Sequence, residues 1–461
     1  MPTIPPACDS ILGTVGRTPL VLLRRLNPHP GVRVWAKLEG FNPMGSVKER
    51  IALRIVEEAE RQGALRPGMT LLESSSGNTG IGLAMVGAVK GYPVVITMAQ
   101  KVSRERRQIL HALGARVVFT SKEGGSDEAW AMADRMQREA PERYFRIGQY
   151  ESPDNPLAHY HGTGAEIVRQ CGGRLDAIVM TAGTGGTLTG VARKLKEEIP
   201  GCRIVGVDPE GSILAGPGEI KSYKVEGIGY DFIPAVLDVK LVDEWIKSND
   251  RDSFLMARRL IRTEGLLCGG SSGSAVWAAL KVAAKMKAGQ RLLVILPDSI
   301  RNYMTKFVDP QWMRENRFVE RDFSMGEIGD VLRALPRRAL IAVSVADTLG
   351  RAVETMKERG ISQVPVLDGD KLAGILTESD MLQGLVAQQW QLTTKVAEAM
   401  CRRVSTVTEH TPASMLPEIF GRGEVAIVID GSQKVLGLLT KIDLVEYLTQ
   451  TERLQQTTAP V

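Results

Sequence analysis

The sequence predicts an α/β protein whose larger part is built on open, largely parallel β-sheets. Short strand-like runs such as residues 94–97, 176–180 and 291–296 are apolar on both faces apart from one polar end residue each, Thr97, Asp176 and Arg291, as strands buried in a parallel sheet must be. Glycine-rich loops join several of these runs to stretches with helical spacing, which is the order of open α/β sheets. Because such sheets bind ligands at the carboxyl ends of their strands, these loops mark the predicted ligand site.

An internal repeat forms the C-terminal part of the chain. The segment GILTESD at residues 374–380 matches GLLTKID at residues 437–443, which lies 63 residues later. Each copy has the pattern strand, helix, strand, strand, helix, and so small a unit needs a partner to bury its faces. We therefore expect the two copies to pack on each other. The predicted division is an N-terminal domain of two lobes at 1–315, a linker at 316–335, and repeat units at 336–390 and 391–461.

Composition places the chain among ordinary globular proteins, with 43% hydrophobic and 24% charged residues and a net charge of +5. The basic residues form no long run, so nothing indicates a nucleic-acid partner. No apolar run is long enough to predict a membrane span. The five cysteines are scattered without C-x-x-C spacing. This pattern predicts neither a disulfide framework nor a metal site, and indicates a cytoplasmic location.

The segment NPMGSVKER at residues 42–50 places a lysine at the start of a predicted helix. Ser46 and Glu49 have the S-x-x-E spacing of a capping box, so Lys48 falls in the first turn. The positive end of the helix dipole there favours a neutral amine. A Schiff-base lysine or a general base requires that neutral form. Taken alone, the segment favours an ordinary solvated surface lysine.

Three further loops connect predicted strands and helices. SSSGNT at 74–79 offers N–H groups and hydroxyls to a carboxylate, although a plain N-cap loop has the same composition. GTGGT at 183–187 lets the backbone surround a phosphate that is not part of NAD or ATP, because the Walker lysine and the Rossmann spacing are missing. GGSSGS at 269–274 opens a helix, and Ser271 is either a site hydroxyl or its N-cap. Together with the lysine, these loops supply the parts of a site for pyridoxal phosphate and an amino acid.

With these motifs in this order, the sequence resembles the cystathionine β-synthase family. Further matching motifs are NPLAHY at 155–160, EGIGYDFIP at 226–234, and LPDS at 296–299 with RNYM at 301–304. The resemblance implies a fold-type II, tryptophan synthase β-like pyridoxal-phosphate domain followed by a tandem CBS-domain (Bateman-type) module. It implies a lyase of transsulfuration that joins L-serine, or L-cysteine with release of hydrogen sulfide, to L-homocysteine. The alternative within this fold is a cysteine synthase-like reaction of O-acetylserine with sulfide.

The resemblance also implies roles for individual residues. Lys48 would bind the cofactor as a Schiff base and carry the α-proton of the substrate, while Ser271 would face the pyridine nitrogen. Asn78 would bond the cofactor's 3′-oxygen. The cofactor's phosphate would be bound by Gly183, Thr184, Gly185, Gly186 and Thr187. The substrate carboxylate would be bound by Ser75, Ser76, Asn78, Thr79 and Gln149. The pocket for the second substrate would be shaped by Tyr150, Gly227 and Tyr230.

For the repeat, the resemblance implies an adenosyl ligand bound through Gln363, Thr377, Asp380, Thr440 and Asp443. Ile361 and Ser362 replace an aromatic and an acidic residue of members that bind S-adenosylmethionine, so S-adenosylmethionine, an adenine nucleotide and no ligand remain alternatives. A homodimer, or a larger homo-oligomer, is implied as well. No haem is predicted, because Cys8 is the only cysteine ahead of the catalytic pattern. A ligand sensor with a degenerate catalytic half is the alternative from another class, and a colourless protein would indicate it.

Overall fold

The structure is a computed structural model that describes residues 7–100, 104–121, 124–318, 325–336, 339–402 and 404–457. It divides into two compact units, Met1–Val319 and Glu320–Val461. Some parts of the predicted segments lie outside the described residues. These are 1–6, 101–103 and 122–123 of the N-terminal domain, 319–324 of the linker, and 337–338, 403 and 458–461 of the repeat units.

Two open sheets form the framework of the first unit. Its strands are β1 (Leu20–Leu22), β2 (Arg33–Leu38), β3 (Thr70–Ser74), β4 (Val94–Ala99), β5 (Arg116–Thr120), β6 (Tyr144–Arg146), β7 (Ala177–Thr181), β8 (Arg203–Pro209), β9 (Glu244–Ser248) and β10 (Arg291–Leu296). One sheet is parallel, with the order β5-β4-β3-β6. The other has the order β1-β2-β10-β7-β8-β9, in which β1 is antiparallel to β2 and the other neighbours are parallel. The predicted pair of open-sheet lobes is confirmed.

Helices cover both sheets of the first unit. They are α1 (Lys48–Arg61), α2 (Asn78–Lys90), α3 (Arg104–Ala112), α4 (Gly125–Glu139), α5 (Asp154–Ala158), α6 (Ala165–Cys171), α7 (Gly186–Glu198), α8 (Asp250–Glu264), α9 (Gly270–Ala283) and α10 (Pro310–Glu315). A π-helix, His159–Gly164, joins α5 to α6. One core packs α1 and α2 on the four-stranded sheet. Two more cores cover the faces of the six-stranded sheet, one with α9 and the other with α7, which is why its strands are apolar on both faces.

The second unit contains two copies of one small fold. Its strands are β11 (Val343–Ser344), β12 (Gln363–Asp368), β13 (Lys371–Thr377), β14 (Thr406–Val407), β15 (Ala426–Ile429) and β16 (Val435–Leu439). Its helices are α11 (Ile328–Ala334), α12 (Leu349–Arg359), α13 (Glu378–Val386), α14 (Val396–Ala399), α15 (Leu416–Gly421) and α16 (Lys441–Thr457). In each three-stranded sheet a short strand runs parallel to a longer one, which forms an antiparallel hairpin with the third.

The two copies share an apolar core, as the repeat predicts. Ile375 of β13 is buried in one cluster with Val425, Ile427 and Val435 from the other copy. Helix α11 lies within the predicted linker, where Ile328 joins the core of the second copy. In the part of the chain that the structure describes, no helix combines the length and apolarity needed to cross a membrane.

Candidate active site

A cavity of about 1250 Å³ lies where the strands of the two sheets in the first unit end. Its lining includes Ser74, Ala99, Thr181 and Ile295, which lie at or next to the carboxyl ends of β3, β4, β7 and β10. The glycine-rich loops of the sequence predict a ligand site at this edge of the sheets. All of the site residues predicted in the first unit line this cavity, with the exception of Gly186.

Lys48 is the first residue of α1, and the N-cap is Val47, without a side-chain cap, rather than Ser46 as the capping-box spacing predicts. Ser46 Oγ accepts a hydrogen bond from the Lys48 N–H over 3.1 Å. The Glu49 carboxylate accepts from the N–H of Ser46 at 3.2 Å and from its hydroxyl at 2.7 Å. Desolvation lowers the pKa of the Lys48 amine to about 8, against the opposing effect of the nearby Asp298 carboxylate. A large fraction of this amine is therefore neutral in mildly alkaline solution.

A buried cluster of charges holds the first turn of α1 in place. Arg50 Nε lies 2.6 Å from Glu39 Oε2, and Arg50 Nη1 lies 2.7 Å from Glu166 Oε1. Lys37 Nζ lies 2.7 Å from the other oxygen of Glu166. Removing one partner would leave a buried charge uncompensated, which is strongly destabilising. Sequence reasoning missed these residues, because isolated charges in a sequence look the same as surface residues.

The loop predicted to bind a carboxylate has a hydroxyl directed by its own backbone. Ser75 Oγ accepts hydrogen bonds from the N–H groups of Gly77 at 3.2 Å and Gly80 at 3.1 Å. Its hydroxyl hydrogen is thereby left for another acceptor. Beside it, Thr79 Oγ1 donates to Gln149 Oε1 over 2.7 Å. The loop and Gln149 thus form one hydrogen-bonded wall of the cavity.

Glu73, which sequence reasoning missed, hydrogen-bonds to the backbone of this wall. Its carboxylate accepts from the Ser74 N–H at 2.9 Å and from the Gln149 N–H at 3.4 Å. Burial raises the pKa of Glu73 to about 7, although the positive charge of Arg146 acts to lower it. An acidic residue that directly follows two leucines in a predicted buried strand is the signal that could have identified Glu73.

The side chain of Asn78 is oriented by a buried polar network. Asn78 Nδ2 donates to Asp298 Oδ2 over 2.8 Å, and Asn78 Oδ1 accepts from Asn302 Nδ2 over 2.8 Å. Tyr303 donates to the same oxygen of Asp298 over 2.6 Å. One N–H of the Asn78 amide therefore remains for a ligand in the cavity. Sequence reasoning placed Asp298 and Asn302 in matching motifs without giving them a role.

The phosphate loop, residues 183–187, leads into the N-terminus of α7. Gly185 caps the helix with φ of 89° and no side-chain hydrogen bond, in the left-handed region that favours glycine. The first N–H groups of such a helix form an anion site. The direction of a side chain at Gly186 is towards Asn155 and away from the cavity, since a Cβ on it would lie 1.8 Å from Asn155 Oδ1. This contact explains why Gly186 does not line the cavity.

The remaining predicted side chains complete the walls. Ser271 is the second residue of α9 and is only 3% exposed. Tyr150 and Tyr230 join their hydroxyls at 3.0 Å and their rings edge to face, with 5.4 Å between centroids. Phe232 packs on Tyr150 at a centroid distance of 5.6 Å. Burial raises the pKa of both tyrosines, so their hydroxyls stay protonated.

The residues predicted to bind a regulatory ligand lie in the second unit. Gln363 and Thr377 are paired across β12 and β13. Thr377 Oγ1 donates to Asp380 Oδ2 over 2.7 Å and accepts from the Asp380 N–H over 3.1 Å. In the other copy, Thr440 Oγ1 donates to Asp443 Oδ2 over 2.6 Å. Each pair therefore shares the hydroxyl-to-carboxylate bond at the start of α13 or α16, while the backbone N–H that completes the pair is that of Asp380 in one copy and of Thr440 in the other.

Comparison with known proteins places both units in described families. The family of pyridoxal-phosphate-dependent enzymes matches residues 11–298, and the CBS domain matches residues 328–387 and 396–450. The cystathionine beta-synthase of Dictyostelium discoideum is 43% identical, over 96% of this chain and 93% of that protein. That of Mus musculus is 41% identical, over 98% and 87%. The crystal structure of a cysteine synthase from Entamoeba histolytica is 40% identical with a TM-score of 0.64, covering 66% of this chain and 91% of that one.

Proposed function

The chain belongs to the cystathionine beta-synthase family of pyridoxal-phosphate-dependent enzymes, and we propose that it condenses L-serine with L-homocysteine to give L-cystathionine. L-Cysteine serves as an alternative first substrate, with release of hydrogen sulfide. The observation that carries the proposal is the cavity in which the Lys48 amine, the phosphate loop and the carboxylate loop meet. The reaction is that of a carbon–oxygen lyase in transsulfuration.

The residues around the cavity fit pyridoxal phosphate. Lys48 offers a desolvated amine, and α7 offers a helix N-terminus that no side chain caps. Asn78 keeps one N–H for the 3′-oxygen, and Ser271 offers a neutral hydroxyl to the pyridine nitrogen. In this proposal the phosphate is held by Gly183, Thr184, Gly185 and Thr187, which line the cavity, and by the backbone N–H of Gly186 at the start of α7. The chemistry that the cofactor supplies when bound is withdrawal of electrons from the α-carbon of the amino acid.

Lys48 is the residue that moves the proton. Once the amino acid has displaced it, the amine is free to accept the α-proton of the substrate, and its lowered pKa favours the neutral form that can do so. The same amine returns the proton to the α-carbon at the end of the reaction. The cavity wall of Ser75, Ser76, Asn78, Thr79 and Gln149 binds the α-carboxylate, and this fixes the Cα–H bond relative to Lys48.

The aromatic side of the cavity receives the second substrate. Tyr150, Tyr230 and the backbone of Gly227 line it. Both phenols remain protonated, so they orient homocysteine by hydrogen bonding and contact rather than by charge. The apolar rings also exclude water from the β-carbon, which favours attack by the thiol over hydrolysis.

A substrate comparison tests the proposed reaction. The full-length protein is assayed with L-homocysteine as acceptor and with L-serine, L-cysteine or O-acetylserine as donor, and then with sulfide as acceptor. We expect cystathionine from serine and hydrogen sulfide from cysteine with homocysteine. The cysteine synthase alternative has one observation in its favour, the likeness to the Entamoeba histolytica cysteine synthase. Turnover restricted to O-acetylserine and sulfide would establish that alternative instead.

The second unit is proposed to bind an adenosyl ligand. Thr377 with Asp380, and Thr440 with Asp443, combine a hydroxyl and a carboxylate at a helix start, a pairing suited to the hydroxyls of a ribose, and Gln363 is adjacent to Thr377. Ile361 offers no aromatic surface for adenine and Ser362 no charge for a sulfonium. Titration calorimetry with S-adenosylmethionine and with ATP distinguishes the two ligands from no ligand.

We also propose the division into a catalytic domain at 1–315, a linker at 316–335 and CBS domains at 336–390 and 391–461. A homodimer, or a larger homo-oligomer, is supported by apolar side chains on the helices of the second unit. Leu382 and Val386 of α13 are 66% and 74% exposed, and Ile442 of α16 is 65% exposed. Light scattering of the full-length protein as it elutes from a size-exclusion column measures the mass of the assembly. The mass of a monomer would contradict this proposal.

A further inference from the structure

Two side chains one helical turn apart, Asn155 and His159, contact the two threonines of the phosphate loop. Asn155 Nδ2 lies 3.2 Å from Thr184 Oγ1, and His159 Nε2 lies 3.2 Å from Thr187 Oγ1. Asn155 is fully buried and His159 is 1% exposed. Neither of them is among the residues that line the cavity, so any effect on a ligand must pass through the threonines.

The contacts of Asn155 fix the direction of its hydrogen bond. Its Nδ2 also donates to the backbone carbonyl of Gln149 over 2.6 Å. A carbonyl only accepts, so the nitrogen of the amide must be on this side. The second N–H of that nitrogen then points to Thr184 Oγ1. The Thr184 oxygen accepts this bond, and its own hydrogen is free to be donated elsewhere.

The contacts of His159 allow the same arrangement at Thr187. Burial holds the pKa of His159 well below its ordinary value, so the ring is neutral and carries one N–H. Its Nδ1 lies 3.0 Å from Thr163 Oγ1. When Thr163 donates to Nδ1, the proton of the ring is on Nε2, which donates to Thr187 Oγ1. Thr187 then also has its hydroxyl hydrogen free.

We infer that Asn155 and His159 are positioning residues that turn the hydroxyl hydrogens of Thr184 and Thr187 towards the cofactor's phosphate, with Thr163 selecting the tautomer of His159. The phosphate oxygens are hydrogen-bond acceptors, and they require donors from the loop. Each threonine can donate its hydrogen to the phosphate only if it does not donate that hydrogen to the side chain behind it. The inference rests on the proposed function, since it needs a bound phosphate.

The packing of the two helices shows that this contact is built into the fold. A Cβ on Gly186 would lie 1.8 Å from Asn155 Oδ1, and one on Gly190 would lie 2.8 Å from the His159 Cβ and 2.1 Å from the Pro156 carbonyl. The two glycines allow α5 and the π-helix to approach α7 this closely. The π-helix begins at His159 itself, and such interruptions of α-helices are frequent at functional sites.

A matched pair of variants tests the relay. In His159→Gln the amide nitrogen of the longer side chain can replace Nε2, whereas in His159→Asn it reaches only the position of Nδ1. The readout is the dissociation constant of the full-length apo-protein for pyridoxal phosphate and for pyridoxal, which lacks the phosphate. We expect His159→Asn and Asn155→Leu to weaken pyridoxal phosphate about tenfold or more, while pyridoxal is unaffected. His159→Gln and the neighbouring control Tyr160→Phe should retain the wild-type constants.

Two further measurements keep the test decisive. In a Thr187→Val background, His159→Asn should cause no additional loss, because the oxygen that receives its bond is gone. If His159→Asn does not fold, Thr163→Val takes its place, with an expected loss of about threefold for pyridoxal phosphate alone. Equal weakening of both ligands, or additive losses with Thr187→Val, would overturn the relay. A wild-type protein that binds no pyridoxal phosphate would instead overturn the proposed function, and the relay with it.

Discussion

Asn78 donates a hydrogen bond to Asp298 over 2.8 Å and so connects the start of α2 to the segment that follows β10. The two residues belong to different lobes, since α2 packs on the four-stranded sheet and β10 lies in the six-stranded one. The same Asp298 carboxylate acts on Lys48 by raising the pKa of its amine. The cofactor site is therefore a product of how the two lobes meet.

This relationship predicts the behaviour of Asp298→Asn. Without the carboxylate, desolvation acts on Lys48 unopposed by this charge, so the pKa of the amine should fall below its value of about 8. The pH dependence of the rate at which the apo-protein binds pyridoxal phosphate reports that pKa, because the neutral amine is the reactive form. The midpoint should move to lower pH. The exposed Asp9→Asn is the control, and a midpoint that rises or stays in place would contradict the assignment.

The sequence and the structure agree best where local chemistry determines the outcome. The apolar run at 291–296 coincides with β10, and the capping pattern of Ser46 and Glu49 places Lys48 at the start of α1. The sequence and the structure differ where tertiary packing determines where an element begins. The helix predicted to follow the GGSSGS segment at 269–274 already begins at Gly270, because burial of this segment outweighs the low helix propensity of glycine.

The same distinction holds for the site. Loops with unusual composition could be found in the sequence, and they line the cavity. The roles of the supporting residues could not be found, because Arg50 and His159 lie in the quoted motifs without any local signature of what they do. Their roles come from partners such as Glu166 and Thr187, which are distant in the sequence. Gly186 was placed with the phosphate loop, and only the approach of Asn155 shows which way it faces.

Glu73 predicts a dependence of stability on pH. Burial raises its pKa to about 7, so between its unfolded value and pH 7 the folded chain retains a proton that the unfolded chain has lost. This contribution is complete below the unfolded pKa and disappears as the pH rises through 7. Its size is at most about 3–4 kcal/mol. Denaturant titrations at pH 5 and pH 8 should show a smaller difference in the free energy of unfolding for Glu73→Gln than for the wild type. Part of the pH dependence of stability remains in the variant because of Glu49, whose pKa is raised to about 8. If the difference in the free energy of unfolding between pH 5 and pH 8 is the same in Glu73→Gln as in the wild type, Glu73 is not a source of this pH dependence.

We predict that a side chain at Gly183 disturbs both the phosphate loop and the cavity wall that receives the second substrate. A Cβ on Gly183 would lie 2.4 Å from the backbone oxygen of Gly227, and a backbone atom cannot move aside cheaply. Gly183→Ala should lower stability by about 1–3 kcal/mol and weaken both pyridoxal phosphate and homocysteine. Gly201→Ala is the matched control, since a Cβ there has no neighbour within 4 Å. Thermal unfolding and ligand titration of both variants measure the difference.

We predict that substitution of Tyr230 affects the step with the second substrate and leaves the step with the first substrate unchanged. Its hydroxyl lies 3.0 Å from that of Tyr150 on the aromatic wall. Tyr230→Phe should raise the KM for homocysteine about tenfold through loss of this hydrogen-bonding group. Exchange of the α-proton of serine in deuterated water, which needs no second substrate, should keep its wild-type rate. A matching loss of exchange would show that the tyrosine acts on the first substrate instead.

The most direct measurement of the whole account is reduction of the purified protein with borohydride, followed by mass mapping of the peptides. We predict a yellow protein that loses its colour on reduction and carries one phosphopyridoxyl group, attached to Lys48. Lys48→Ala should carry none, and its rate of cystathionine formation should fall by at least about 10²–10⁴-fold. A colourless protein, or a group attached to another lysine, would contradict the central claim that this cavity is a pyridoxal-phosphate site built around Lys48.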